Sequence, residues 1–140
     1  MKAITVCEPY ASAIIKGPKR CENRGNNWRF RGRLLIHAGK SRKYMGTMTA
    51  EQLKEWRSYS ESALTFGAIL GSIEVFNCVL FDDDMLDDPW AFGPFCLLLR
   101  DPIVFPKPIP YRGEQGLFNV PDEVLRGEPV PPDPQSVMFG

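Results

Sequence analysis

The sequence predicts an α+β fold, a small β-barrel of about five to six strands with two or three flanking helices. Strand-like segments outnumber helical ones, 12 glycines and 13 prolines punctuate their connections, and no internal repeat is present. A chain of 140 residues is enough for one hydrophobic core and too short for two ordinary ones. The spacing does not alternate strands with long helices as a doubly wound sheet requires. We therefore expect a single domain over residues 1–127. From Glu128 to Pro134 four of seven residues are proline, so residues 128–140 are expected to form an extended or disordered tail.

The elements follow from local pattern. Met1 to Cys7 alternates as an opening strand. Pro9 suits a first helical turn, Ala11, Ala13, Ile14 and Ile15 carry a short helix, and Gly17-Pro18 stops it. Arg33 to Ala38 reads as a strand behind Gly32. Thr49 with Gln52 forms a capping box, opening a helix to about Trp56 with Leu53 and Trp56 on one face. Gly67 to Phe81, rich in β-branched and aromatic residues, reads as a long strand bent near Gly71. Phe95 to Arg100 is another strand, with Ile103 to Phe105 continuing the sheet after Pro102.

Composition narrows the function. Hydrophobic residues make up 44% and charged residues 24%, an ordinary globular balance. The longest uncharged stretch, Ser62 to Ile73, is shorter than the ~20 residues of a membrane helix. A cytoplasmic protein without membrane contact is expected. Cys7, Cys21, Cys78 and Cys96 have no paired spacing and His37 is the one histidine. Neither a zinc site nor a disulfide framework is encoded, and no metal or other cofactor is expected. Net charge is zero, yet residues 1–43 alone carry +9 and the remainder −9. Such segregation favours a positive face that attracts phosphates.

Three segments carry candidate chemistry. In Gly17-Pro18-Lys19-Arg20-Cys21-Glu22-Asn23-Arg24, strand alternation would place Arg20, Glu22 and Arg24 on one face and Lys19, Cys21 and Asn23 on the other. Such an array suits an anion or a planar base edge; a surface strand of paired charges is the plain alternative. Glu74 falls in line with Leu70, Phe76, Cys78 and Leu80 on an apolar face. A carboxyl group there is costly to bury unless it pairs with a cation such as Lys19 or keeps its proton. In Trp28-Arg29-Phe30-Arg31-Gly32-Arg33, aromatics interleave with arginines, a pattern suited to a nucleoside or single-stranded nucleic acid, or simply to a solvated loop over core rings. Tyr10 and Trp90 are further aromatic candidates. His37 shares a strand face with Leu35, has no Ser-His-Asp spacing, and reads as a structural or substrate-contacting side chain. The cluster Asp82-Asp83-Asp84 with Asp87-Asp88 lacks the glycine and terminal glutamate of a calcium loop, and Gly113-Glu114-Gln115-Gly116 looks like a turn.

Taken in order, these residues resemble the ASCH domains, a branch of the PUA-like superfamily. The resemblance rests on Pro9-Tyr10-Ala11, on Gly17-x-Lys19-x-x-Glu22-x-Arg24, on Arg31-Gly32-x-Leu34-Leu35-Ile36-His37-Ala38, and on Trp90, Gly93-Pro94-Phe95 and Pro110-x-x-Gly113-x-x-Gly116-Leu117-Phe118. It covers about residues 1–120 and implies a small barrel with a cleft that binds RNA, DNA or nucleosides. Some small members remove acyl groups from the exocyclic nitrogen of cytidine derivatives, and others have been proposed as ribonucleases or coactivator modules. In the amidohydrolases a lysine of the Gly-x-Lys segment is catalytic, by position Lys19. Glu22 stands where they carry threonine, and Tyr10 where tryptophan is more usual.

The resulting expectation is a metal-independent hydrolase of N4-acylated cytosine nucleosides. Lys19 with Glu74 or Glu22 would be catalytic, and Tyr10, Arg24, Trp28, Arg31 and His37 would hold the substrate. Because alternation opposes Lys19 to Glu22, the Lys19 and Glu74 pairing is preferred. The rival expectations are a non-catalytic module for single-stranded RNA and a ribonuclease using Lys19 and Tyr10.

Overall fold

The computed structural model of the chain describes residues 1–128. Apart from Glu128, the expected proline-rich tail lies outside the described residues. The α+β class holds. Six strands, β1 (Lys2–Val6), β2 (Cys21–Arg24), β3 (Gly32–Ala38), β4 (Ala68–Leu80), β5 (Phe95–Pro110) and β6 (Phe118–Asn119), join two helices, α1 (Tyr10–Ile15) and α2 (Ala50–Glu55). The strands form one sheet in the order β2-β5-β4-β3-β1-β6, with β1 and β3 parallel and the other pairs antiparallel. Barrel closure is corrected: among the described residues β2 and β6 are the two ends of that order and do not pair.

Side-chain alternation splits the core between the two faces of the sheet. Ile4, Val6, Leu34 and Ile36 pack with Leu70, Ile73, Val75 and Leu97 under Ile14 and Ile15 of α1. Ala3 and Leu35 face the other way, onto Phe105, Phe118, Val120 and Leu125. Burial of these side chains, each contributing about 1.5–3 kcal/mol for the larger ones, holds α1 across the first face. A six-residue helix could not persist alone.

Bulges decide which side chains of β4 and β5 reach which face. Register shifts fall at Ile69/Gly71, Ser72/Glu74 and Val75/Asn77. At the second, Ile73 of β4 alone opposes Asp101 and Pro102 of β5, where Asp101 has φ 55°. Gly71 makes the bend possible: a Cβ there would lie 2.0 Å from the Ile103 carbonyl oxygen. The prolines of β5 sit beyond Leu98, the last residue paired with β2, where the outer edge needs no donor. The expected break after Arg100 is thus a bulge inside one 16-residue strand.

The Thr49 capping box forms in full, with Gln52 N–H donating to Thr49 Oγ1 at 3.1 Å and Thr49 N–H donating to Gln52 Oε1 at 2.8 Å. The expected buried face of α2 is corrected in part: Trp56 is buried, but Leu53 is exposed and Gln52 takes the inner position. Gln52 goes inward because its amide donates to the Pro89 carbonyl at 2.8 Å, tying α2 to the loop before β5.

Candidate active site

An open cleft of about 1680 Å³ runs between the C-terminal ends of β1 and β3, the β3–α2 loop and the segment after β5. Lys19, Glu22, Arg24, Tyr10 and His37 all line it. The strand pattern that would separate Lys19 from Glu22 does not extend to Lys19, because β2 begins only at Cys21. Lys19 N–H instead donates to the Ala13 carbonyl at 3.1 Å, which swings its side chain to the Glu22 face. The Lys19 ammonium, buried to 3% exposure, lies 3.5 Å from Glu22 Oε1. It also donates to the Cys21 carbonyl oxygen. Glu22 Oε2 meets an Arg24 guanidinium nitrogen at 3.0 Å, so one carboxylate bridges two cations. Arg20 leaves the array. Its guanidinium turns back to donate to the carbonyls of Ile14 and Gly17 at 3.1 Å and of Lys19 at 2.8 Å, closing the end of α1.

Glu74 is corrected. An extra residue of β4 at Leu70, where the adjacent Ile36 and His37 of β3 pair with Gly71 and Ile69, shifts alternation by one residue, so Leu70, Ile73 and Val75 take the core face and Glu74 the opposite one. There it pairs with Arg100, opposite it on β5, and stands outside the cleft. Two of the expected substrate contacts also miss the cleft. Trp28 packs against the main core with the Arg24 guanidinium 5.0 Å from its ring centroid, so it steadies Arg24 from behind. Arg31 is exposed and donates at 2.8 Å to the Trp28 and Phe30 carbonyls, closing its own turn.

Aromatic side chains build one wall. Tyr10 lies 6.0 Å from the Lys19 ammonium, measured to its ring centroid, and meets Tyr44 and Trp90 edge-on, each at 6.4 Å. Its hydroxyl shares a 2.8 Å hydrogen bond with Thr47. Trp90 is buried and fixed by Asp88, whose carboxylate accepts its backbone N–H at 2.9 Å, and by Glu55, which accepts the indole N–H at 3.1 Å. The acidic loop therefore braces this wall locally.

His37 sits in a polar corner of the same cleft. Its Nε2–H donates to the Tyr111 carbonyl at 2.6 Å, which leaves Nδ1 to accept from the Thr5 hydroxyl at 3.1 Å. Burial pushes its pKa down, against the pull of the Tyr111 carbonyl and with that of the nearby Lys40 charge. Both effects of burial and geometry favour a neutral, fixed imidazole. Gly113 permits this packing: a Cβ there would lie 2.4 Å from Thr5 Oγ1 and 2.7 Å from His37 Nδ1. The segment that reads as a plain turn is thus the cover of the histidine.

Sequence reasoning also passes over Asn23. Its side-chain oxygen accepts the backbone N–H groups of Phe92 at 2.7 Å and Gly93 at 2.9 Å, and its amide donates to the Trp90 carbonyl at 2.9 Å. It latches the Trp90 loop to β2. A polar residue on the Cys21 face of a strand was the available signal, but its partners lie some 70 residues away in sequence.

The sequence model of the ASCH domain family matches residues 4–90. Among solved structures, an ASCH protein from Zymomonas mobilis matches with a TM-score of 0.52 at 16% identity, covering 89% of this chain and 90% of that one. A tyrosine-to-phenylalanine variant of the same protein matches with a TM-score of 0.52, again at 16% identity and 89% of this chain, covering 93% of that one. At that identity the likeness shows the fold. No match is found among curated proteins.

Proposed function

Because the chain belongs to the ASCH domain family, and because its cleft joins Lys19 and Glu22 at 3.5 Å beside Tyr10, we propose that it hydrolyses the amide of N4-acylated cytosine nucleosides. The Lys19 and Glu22 pair carries this reading, since it sets an acid–base group and a cation within reach of one acyl carbonyl. Glu22 takes a proton from a water molecule as the water oxygen adds to the acyl carbon. Lys19, oriented by the Cys21 carbonyl, stabilises the oxyanion that forms. The tetrahedral adduct then breaks its bond to N4, and the proton held by Glu22 passes to that nitrogen. The products are the cytosine nucleoside and a carboxylic acid. Tyr10 offers a ring for the base, and Arg24, steadied by Trp28, orients the base carbonyl. His37 donates no proton in this scheme; it shapes the corner of the cleft.

Absorbance-monitored conversion of N4-acetylcytidine to cytidine tests the proposal. Lys19→Ala is expected to lower turnover about 10²–10³-fold and Glu22→Gln about 10²–10⁴-fold. Glu74→Gln, outside the cleft, leaves turnover intact. Full activity in Lys19→Ala overturns the assignment.

A second reading has its own support. The cleft exceeds the roughly 300–1,000 Å³ of ordinary small-molecule pockets, and Lys or Arg outnumber carboxylates along it. That favours single-stranded RNA as the occupant, either bound or cut. Binding would then weaken steeply with salt.

A further inference from the structure

Three of the cations in the cleft have no carboxylate partner. Lys19 and Arg24 both pair with Glu22, whereas Lys40, Lys43 and Arg112 make no ion pair among the described residues. Among the described residues, Glu114 is the only carboxylate besides Glu22 along the cleft.

The fold gathers these three cations from segments far apart in sequence. Tyr111 N–H donates to the Gly67 carbonyl at 3.1 Å, which sets Arg112, the next residue, beside Gly67. The stem of Lys40 lies over the same glycine: a Cβ on Gly67 would meet Lys40 Cε at 3.0 Å and Cγ at 3.1 Å. Lys40 and Arg112 thus both line the cleft next to Gly67, and the absence of a side chain at Gly67 lets the lysine stem lie flat. Lys43 follows three residues on in the same loop, its ammonium 5.0 Å from the Tyr44 ring centroid. Tyr44 meets Tyr10, and Tyr10 meets Lys19. A row of two tyrosine rings therefore leads from the Lys19 and Glu22 pair to unpaired positive charge. Arg42, between Lys40 and Lys43, is turned aside onto the Phe66 ring, 4.0 Å from its centroid.

A neutral nucleoside gives such charges nothing to bind, while a phosphate ester on its ribose would accept several charge-assisted hydrogen bonds. We infer that Lys40, Lys43 and Arg112 form a phosphate subsite, so that the substrate of this cleft is a phosphorylated cytosine nucleotide rather than the free nucleoside. This rests on the cytosine reading above and narrows its substrate class. The phosphate comes either from a free mononucleotide or from a strand in which the cytidine is internal.

Calorimetric titration at low salt separates the possibilities, using cytidine, cytidine 5′-monophosphate, a trinucleotide with a central cytidine, and inorganic phosphate as probes. The phosphorylated probes are expected to bind at least about tenfold more tightly than cytidine. In a Lys40→Ala, Lys43→Ala, Arg112→Ala variant that advantage disappears while cytidine affinity is unchanged. Lys107→Ala, at an exposed position of β5 outside the cleft, keeps it. All three positions of the triple variant are exposed, and an unchanged melting temperature verifies its fold; Arg112→Gln alone repeats the test with a milder change. An advantage for the mononucleotide equal to that of the trinucleotide identifies a free nucleotide, and one confined to the trinucleotide identifies a strand. Equal affinity for cytidine and its monophosphate, or an advantage that survives in the triple variant, overturns the subsite. If N4-acetylcytidine is hydrolysed but phosphate adds nothing, the subsite alone falls. If inorganic phosphate and the mononucleotide bind through these residues but acylated cytidines are not turned over, the hydrolase reading falls and the subsite stands.

Discussion

Glu8 is fully buried and accepts three hydrogen bonds, from Ser12 N–H at 2.7 Å, Ser12 Oγ–H at 2.6 Å and Thr65 N–H at 3.2 Å. Burial raises its pKa above 4.5, and the Ser12 and Thr65 bonds oppose that rise without cancelling it. A raised folded pKa favours the protonated carboxyl. The stability it contributes is fully present below pH 4.5 and lost as pH climbs through the folded value. The melting temperature of the wild type relative to Glu8→Gln should therefore fall as pH rises from 4.5 toward neutrality. His37 has the opposite sign. Its folded pKa is pushed below 6.5, so the unfolded chain takes the proton first and stability is lost as pH drops below that value. His37→Gln removes this acid-side loss, measurable by thermal melts across the same range. Asn23→Ala strips partners from two backbone donors and one carbonyl, at about 1–3 kcal/mol for each buried group left unpaired. A lowered melting temperature with altered Trp90 fluorescence is the expected result.

At the scale of elements, local chemistry was most legible where it is self-contained. The Thr49 and Gln52 capping box could be read from four residues because both of its bonds close within one turn. Thr49→Ala should cost about 1 kcal/mol, read from denaturant unfolding. The strand over Gly67–Phe81 was equally plain in its β-branched run, but its faces were not. Glu74 was expected on the face of Leu70 because strict alternation has no term for a bulge, and the extra residue at Leu70 arises only from pairing with Ile36 and His37 of β3. Gly71 marks where β5 comes closest. Gly71→Ala would drive a methyl group into the Ile103 carbonyl, and the β4–β5 pairing should loosen, with faster amide exchange along both strands. Lys19 shows the same limitation in reverse. Alternation opposed it to Glu22, yet a backbone bond to Ala13 of α1 ends the extended run before Lys19 and brings the two side chains together.

For the whole molecule, the positive first third of the chain matters through where it folds. Lys19, Arg24, Lys40 and Lys43 enter one cleft, while Arg20 and Arg31 are absorbed in closing turns and Arg33 donates to Ser72 and to the Asp101 carbonyl. Raising salt should leave turnover of a neutral N4-acylcytidine nearly flat. If the occupant is single-stranded RNA, each neutralised phosphate should add about −0.7 to the slope of log affinity against log salt, and a salt titration distinguishes the two. The sequence by itself determined the α+β class, the position of most elements, the capping of α2, and the concentration of charged side chains in the Gly17–Arg24 segment. These follow from short-range rules of periodicity, capping and turn formation. The tertiary structure alone decided that the sheet stays open, that Glu22 rather than Glu74 partners Lys19, that Trp28 and Arg31 stand outside the cleft, and that Asn23, Tyr44, Gly113 and Arg112 belong to it. Most of those outcomes depend on bulges, or on hydrogen bonds and ring contacts between segments tens of residues apart, and even the local ones, the Lys19 bond to Ala13 and the Arg31 turn, leave no mark in strand alternation.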